Sequence, residues 1–529
     1  MPQNFGDAEM DQTLQHRTDH ADRERSKESY FKTEHLKGTL KSRAVKGGGI
    51  VVFARAVNFL VHMLGTVVLA RILTPEDFGL LAMVLTITGF FVLFKDLGLS
   101  EATIQSQSIN HRQVSTLFWV NVFFALAILV VIMAISPLVA RFYNEPKLQP
   151  IIIVSALSFL FAGFTTQHMA ILKRNMQFSR IATVEIVAAL GSISVAVIMA
   201  LAGMGYWALV ARPVALSVLN FGGMWFFCSW RPGLPVRDAG VMGLIRFGAN
   251  TMGFYLVNYF ARNLDKALIG WASGPVALGF YHKAYHLFVL PVNQFSIPLQ
   301  SVAVTTLTKL RSEPERYRAY FVRAISLLAF VGMPMSTFLA ALGDEIILIL
   351  LGPQWDRAAE IFSILGLGAG MQIMYATQGW LHISLGRADR WFWWGVVGSA
   401  VMVLFFVAGL PFGTRGVAAG YTVSLYLLTG PALWYAGRPV KLTVKELVAG
   451  VWSYYVAAAV AGGTTWYLAS QLGYIQVFLR LAICSVSFAL LYLFSVVVLH
   501  GSFRPLKENW NLFVLFKPVK NKSGKEKKI

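Results

Sequence analysis

Long apolar blocks, divided by short polar or Gly/Pro-rich breaks, fill most of the chain and decide what it can form. In the first half they are Ile50–Leu73, Phe78–Leu99, Val114–Pro137, Ile151–Leu172, Ile181–Gly203 and Trp207–Cys228. After a short polar elbow come Leu244–Gly270, Gly279–Val304, Tyr320–Leu342, Ile361–Leu385, Trp391–Pro411 and Val417–Tyr435, then Leu447–Ala469 and Ile475–Leu499. Each approaches the ~20 residues a helix needs to cross a ~30 Å hydrocarbon core, which predicts an all-α polytopic membrane protein of about fourteen spans. The alternation over ~10 residues that marks a transmembrane β-barrel strand is absent.

The blocks also repeat. A shift of 200 residues lays Pro75-x3-Gly79 on Pro275-x3-Gly279 and Asn58 on Asn258. A loop follows the third span of each half, ARFYNEPKL in one and LLGPQWDRA in the other. The expected architecture is two six-helix lobes in pseudo-symmetric repeat plus two C-terminal helices, with the lobes facing each other across a cavity as in alternating-access transporters. The expected divisions are a disordered cytoplasmic tail at 1–45, an N-lobe at 46–230, an elbow at 231–243, a C-lobe at 244–438, two extra spans at 439–499 and a basic cytoplasmic tail at 500–529. The mixed-charge first segment has no apolar run, so it does not read as a cleavable signal peptide.

Charge then orients the chain. The formal net charge is +20, which in a soluble protein would suggest nucleic acid. Here the bases gather in alternate connections, such as Lys173, Arg174 and Arg180, or Lys309, Arg311, Arg316, Arg318 and Arg323, whereas the opposite connections, such as Ala202 to Gly205, are nearly free of them. Roughly 35 of the 46 Lys and Arg fall on one side, which predicts that this side is cytoplasmic, with both termini cytoplasmic and no nucleic-acid partner. The two cysteines, Cys228 and Cys484, sit in separate predicted helices and support neither a disulfide framework nor a Cys metal site. No connection is long enough for a catalytic domain, and Gly47-Gly48-Gly49 does not extend to a phosphate-binding loop, so neither an enzyme nor a cofactor is expected.

Polar residues inside the spans form stripes. Asn250, Asn258, Arg262 and Asp265 share an arc of ~120° on a helix turning ~100° per residue. Arg55, Asn58, His62 and Thr66 share a narrow face of the first span, and His282, His286 and Asn293 align in the eighth beside Lys283. A charge at the bilayer centre costs about 2.5–3.5 kcal/mol on insertion scales, so such residues face a partner or a watery cavity. The stripes therefore read as cavity walls. Arg262 has two readings, a structural (i, i+3) ion pair with Asp265 or a cation offered to substrate. Arg212, beside Pro213, is expected on a kinked helix facing the lobe interior, and Glu185, with no local partner, and Asp265 are candidates for ion coupling. His282 and His286 have helical metal-pair spacing but no third ligand, so no metal site is expected. The embedded cations Arg55, Arg212, Arg262, Lys266 and Lys283 outnumber the acids Glu185 and Asp265, and a cavity of that sign suits a phosphate or diphosphate.

Several stretches carry a family resemblance: NYFARNLDKALIGWASGPVALGFYHKAYHLFVLPVNQFSIPLQSV, LARILTPEDFGLLAMV, FKDLGLSEATIQ and LGPQWDRAAEIFSILG. They resemble bacterial polysaccharide flippases, the Wzx-like branch of the MOP exporter superfamily, over roughly Gly47 to Gly437. The resemblance implies a MATE-like fold and flipping of an undecaprenyl-diphosphate-linked oligosaccharide from the cytoplasmic to the periplasmic leaflet. It also implies membrane lipids as surroundings, with a polysaccharide polymerase and chain-length or export proteins as further candidate partners. A cation-coupled small-molecule or multidrug exporter of the same fold is the alternative.

Overall fold

The structure, a computed structural model, describes residues 40–92, 94, 98–106, 109–236 and 242–507; the side chains of 40–44, 242–258, 260–262 and 298 lie outside that description. Among the described residues every regular element is a helix. The chain divides into two compact units, residues 1–263 with 274–276, and residues 264–273 with 277–529.

The first unit holds α1 (Leu40–Ile72), α2 (Pro75–Val92), the short α3 (Leu99–Gln105), α4 (His111–Phe142), α5 (Leu148–Arg174), α6 (Phe178–Leu201) and α7 (Tyr206–Phe227). α4 packs on α5, α6 on α7, α1 on α6, and α5 also covers α7 and α3. Local chemistry sets the helix starts. Asn110 and Gln113 form a capping box at the head of α4. At α2, the Thr74 amide donates to Asp77 Oδ2 (2.9 Å) and the Asp77 amide to Thr74 Oγ1 (3.3 Å), so two amides with no intrahelical partner are satisfied reciprocally.

Gly79 of the repeated Pro-x3-Gly motif has a packing role. A Cβ there would collide with the backbone carbonyl of Pro275, the proline of the second copy of the motif. Gly79→Ala is accordingly expected to destabilise the fold by at least the ~1–3 kcal/mol typical of overpacking, visible as a lower yield of monodisperse protein in size-exclusion chromatography. A wild-type elution profile and yield would refute the close approach.

α8 (Met242–Lys309) supplies residues to both units and is interrupted only at Gly274, whose φ of 78° and ψ of −178° suit glycine alone. The sequence pattern places an eight-residue connection there, between the spans ending at Gly270 and beginning at Gly279. The connection is absent because Pro275 needs no amide donor as the first residue of the second arm, so helix resumes directly after one glycine.

The second unit continues with α9 (Pro314–Ala341), α10 (Gly343–Leu351), α11 (Asp356–Leu367), α12 (Ala369–Ala376), α13 (Gln378–Ser384), α14 (Ala388–Gly409), α15 (Gly413–Gly437), α16 (Val444–Gln471) and α17 (Val477–His500). α9 packs on α16, α11 and α12, while α14 pairs with α15 and α16 with α17. The block Ile361–Leu385, expected as one straight span, bends by 45° between Pro353–Leu367 and Ala369–Ser384. The Gly370 amide donates to Ser336 Oγ on α9 (2.6 Å), outside its own helix. A Cβ at Gly370 would stand 2.8 Å from the Gly332 carbonyl oxygen, so the Gly366-x3-Gly370 spacing marks close helix contact, as expected from its small residues. By contrast α7 runs on through Pro213 as one helix.

Eleven helices among the described residues are long and apolar enough to cross a membrane, or twelve with the bent pair counted as one. Two of these stretches, Asn263–Lys309 and Ala388–Val440, are divided internally, at Gly274 and at Leu410–Phe412.

Candidate functional site

The first unit brings two of the embedded residues together. Arg212 on α7 places Nη2 2.6 Å from Nδ1 of His62 on α1. Arginine has only donors, so His62 Nδ1 accepts and a neutral ring carries its proton on Nε2. One turn earlier on α1, the buried Asn58 Oδ1 has no hydrogen-bond partner among the described residues, and neither has Asn220 Oδ1 on α7, whose amide donates to the Leu216 carbonyl (2.8 Å). The Arg212–His62 contact thus joins α7 to the polar face of α1, a pairing the stripe on α1 alone did not show. Asn220 could have been found from its helical spacing to Arg212. Arg55 is exposed, and Glu185, half-buried on α6, is acted on by Lys173 and Arg55, charges remote from it in sequence.

The second unit holds a denser cluster. Asp265, only 2% exposed, accepts a hydrogen bond from the Tyr281 hydroxyl at 2.8 Å. Sixteen residues along a straight helix would separate the pair by about 24 Å. The bond therefore shows that the two arms of α8 fold back on each other at Gly274. Lys266 Nζ lies over the Tyr285 ring, 4.8 Å from its centroid, a cation–π contact that shields a charge from the bilayer. Lys283 is buried, 6% exposed. Tyr285 packs edge-on against Tyr421 of α15 (5.8 Å) and stacks on Tyr281 (6.1 Å), giving the cluster an aromatic wall.

His282 and His286 lie with ring centroids 6.4 Å apart; His286 is exposed, and His282 Nδ1 is buried without a hydrogen-bond partner among the described residues. No group of three or more potential metal ligands occurs among the described residues. The side chains of Asn250, Asn258 and Arg262 lie outside the described residues, and so does the expected Arg262–Asp265 pair. Sequence reasoning missed Tyr281, because its bond to Asp265 depends on the fold-back and not on helical spacing. It also missed the buried ion pair of Arg480 on α17 with Glu345 on α10 (3.0 Å).

Residues 68–360 match the Polysaccharide biosynthesis protein family, more than half of the 529-residue chain. The chain belongs to that family. Family members similar to it include the Teichuronic acid biosynthesis protein TuaB of Bacillus subtilis (strain 168), 27% identical over 421 residues that cover 78% of this chain and 86% of TuaB. The Lipopolysaccharide biosynthesis protein WzxC of Escherichia coli (strain K12) is 23% identical and covers 78% of this chain and 85% of WzxC. Among solved structures, the fold is shared with the Lipid II flippase MurJ in an inward closed conformation, at a TM-score of 0.67 and 13% identity, covering 88% of this chain and all of that one (100%). The Wzx-like resemblance read from the motifs thus stands, and this family member is a multi-pass membrane protein of polysaccharide biosynthesis.

Proposed function

We propose that this protein flips an undecaprenyl-diphosphate-linked oligosaccharide from the cytoplasmic to the periplasmic leaflet of a bacterial inner membrane, by alternating access, for exopolysaccharide, capsule or O-antigen-type polysaccharide assembly. Both termini are then cytoplasmic, and the breaks at Gly274 and Leu410–Phe412, which divide two long apolar stretches, support a count of about fourteen passes. The observation that carries the reading is the sign of the embedded clusters. Arg212 stands with neutral polar groups in one unit, and Lys266 and Lys283 accompany a single Asp265 in the other. Cations held among aromatic and amide groups suit a diphosphate with attached sugars, because guanidinium and ammonium groups donate to phosphate oxygens while amides and rings meet sugar hydroxyls and faces.

Family membership, the printed roles of TuaB and WzxC, and the fold shared with a lipid flippase support the same class of cargo. A cation exporter would need an acid open to its cargo, whereas Asp265 is buried against Tyr281.

On sequence grounds Arg262 is a further candidate diphosphate contact. In a strain lacking the protein, lipid-linked oligosaccharide should accumulate on the inner leaflet, and mass spectrometry of that lipid names the cargo. Complementation with Arg262→Ala is expected to restore delivery at about one tenth of the wild-type rate or less, matching one charge-assisted hydrogen bond, and Arg262→Glu still less. Wild-type delivery by both variants at normal protein levels would remove Arg262 from the site. Drug sensitivity of the deletion strain with its surface polysaccharide intact would instead indicate the exporter.

A further inference from the structure

A second polar feature of the second unit shares no residue with the Asp265 cluster. Between α9, α16 and the turn after α17 lies a cavity of about 770 Å3, within the ~300–1,000 Å3 of small-molecule sites. Three guanidiniums line it, Arg318 and Arg323 on α9 and Arg504 beyond α17, together with Ser326, Tyr454 and His500. Two acids also reach it, but Glu446 is engaged at the head of α16, where its Oε2 accepts from the Thr443 amide (2.9 Å) and hydroxyl (2.8 Å). Arg318 reaches the Lys441 carbonyl only at 3.4 Å, and His500 is fixed by the Val496 carbonyl (2.9 Å) and Ser453 (3.2 Å), its ring 5.4 Å from Tyr454. Polar walls of net positive charge are thus held in place around the space.

The cavity's surroundings are apolar. Arg323 also lines a separate crevice of about 60 Å3 formed by Leu299, Ala303, Leu327, Leu328 and Trp380. Phe503, 74% exposed, stands between the lining residues Ser502 and Arg504. All of this lies at the end of the spans that carries Lys309, Arg311, Lys441 and Lys445, the basic end of the chain. Basic pockets between transmembrane helices at such an end match anionic headgroups, and guanidinium forks match phosphate oxygens. A free anion would use only the polar half of this arrangement.

We propose that the cavity binds the phosphate headgroup of an anionic membrane phospholipid, with the lipid's apolar part against Phe503 and the crevice lined by Arg323. The lipid is a bound component of the protein and not its cargo, so the test does not depend on transport. Full-length protein is purified in mild detergent, stripped of lipid and exposed to mixed micelles of phosphatidylglycerol and phosphatidylcholine, and the retained lipid is counted by native mass spectrometry. Wild-type protein is expected to retain phosphatidylglycerol at about tenfold or more over phosphatidylcholine, and the double variant Arg318→Gln/Arg504→Gln to lose that preference by about tenfold, the worth of one charge-assisted hydrogen bond. Arg318→Lys/Arg504→Lys should keep part of it. If the Gln variant does not fold, Ser326→Trp, which fills the space without removing a charge, takes its place with the same expected loss. An unchanged preference in a folded Gln or Trp variant overturns the proposal. So does displacement of the lipid by millimolar inorganic phosphate, which would mark a site for a soluble anion.

Discussion

Arg212→Ala should cut delivery of lipid-linked oligosaccharide to the periplasmic leaflet by about tenfold to a hundredfold, the range that one hydrogen bond from a charged donor, about 1.5–3 kcal/mol, supplies. The substitution removes more than a cation. His62 Nδ1 loses the donor that lies 2.6 Å from it, and the ring is released to turn or to change tautomer. Arg212→Lys keeps the charge but not the planar fork, so an intermediate rate is expected if the guanidinium holds phosphate and His62 together. The measurement is lipid-linked oligosaccharide in each leaflet of a complemented deletion strain, normalised to protein level and melting temperature. Should Arg212→Ala deliver at the wild-type rate, the α1–α7 cluster is structural and the diphosphate binds elsewhere.

Asp265→Ala should be the most destabilising single change in the second cluster, by about 3–5 kcal/mol, the loss seen when one partner of a buried charged arrangement is removed. The Tyr281 hydroxyl then lacks its acceptor, and Lys266 loses the acid that offsets it. Tyr281→Phe removes one hydrogen bond and should cost only about 1 kcal/mol, apart from leaving Asp265 less satisfied. Asp265→Asn should fall between the two, because the amide oxygen can still accept from Tyr281. Unfolding of a detergent-solubilised membrane protein is commonly irreversible, so the order is read from inactivation temperatures at one scan rate. If Tyr281→Phe proves as damaging as Asp265→Ala, the hydroxyl and not the carboxylate holds the two arms of α8 together.

Much of the fold was legible because a bilayer imposes one rule, that backbone polar groups be satisfied within each crossing segment. The apolar blocks found nearly every helix, although the third, begun at Val114, missed the first turn of α4, which the Asn110–Gln113 capping box starts at His111. Where the sequence misleads, the cause is tertiary. Nothing local announces that Gly274 alone can reverse α8, since glycine and proline together usually signal a longer connection. The 45° bend near Gly368 needs Ser336, more than thirty residues away, to take an amide out of its helix.

The site was legible in part for the same reason. Spacing on a helical wheel groups Asn58 with His62, and the structure keeps them on α1. Spacing cannot join His62 to Arg212, 150 residues distant, or Asp265 to Tyr281 across a fold-back.

Arg174 counts among the bases that orient the chain, yet it is only 9% exposed, and its Nη1 donates to the carbonyls of Thr103, Ile104 and Ser106 at the end of α3. The insertion machinery reads a charge before the protein folds, whereas the finished protein has folded that charge into a clasp on a broken helix. On the orientation expected from the charge pattern, one side chain works twice, first as an address label and later as a fastener.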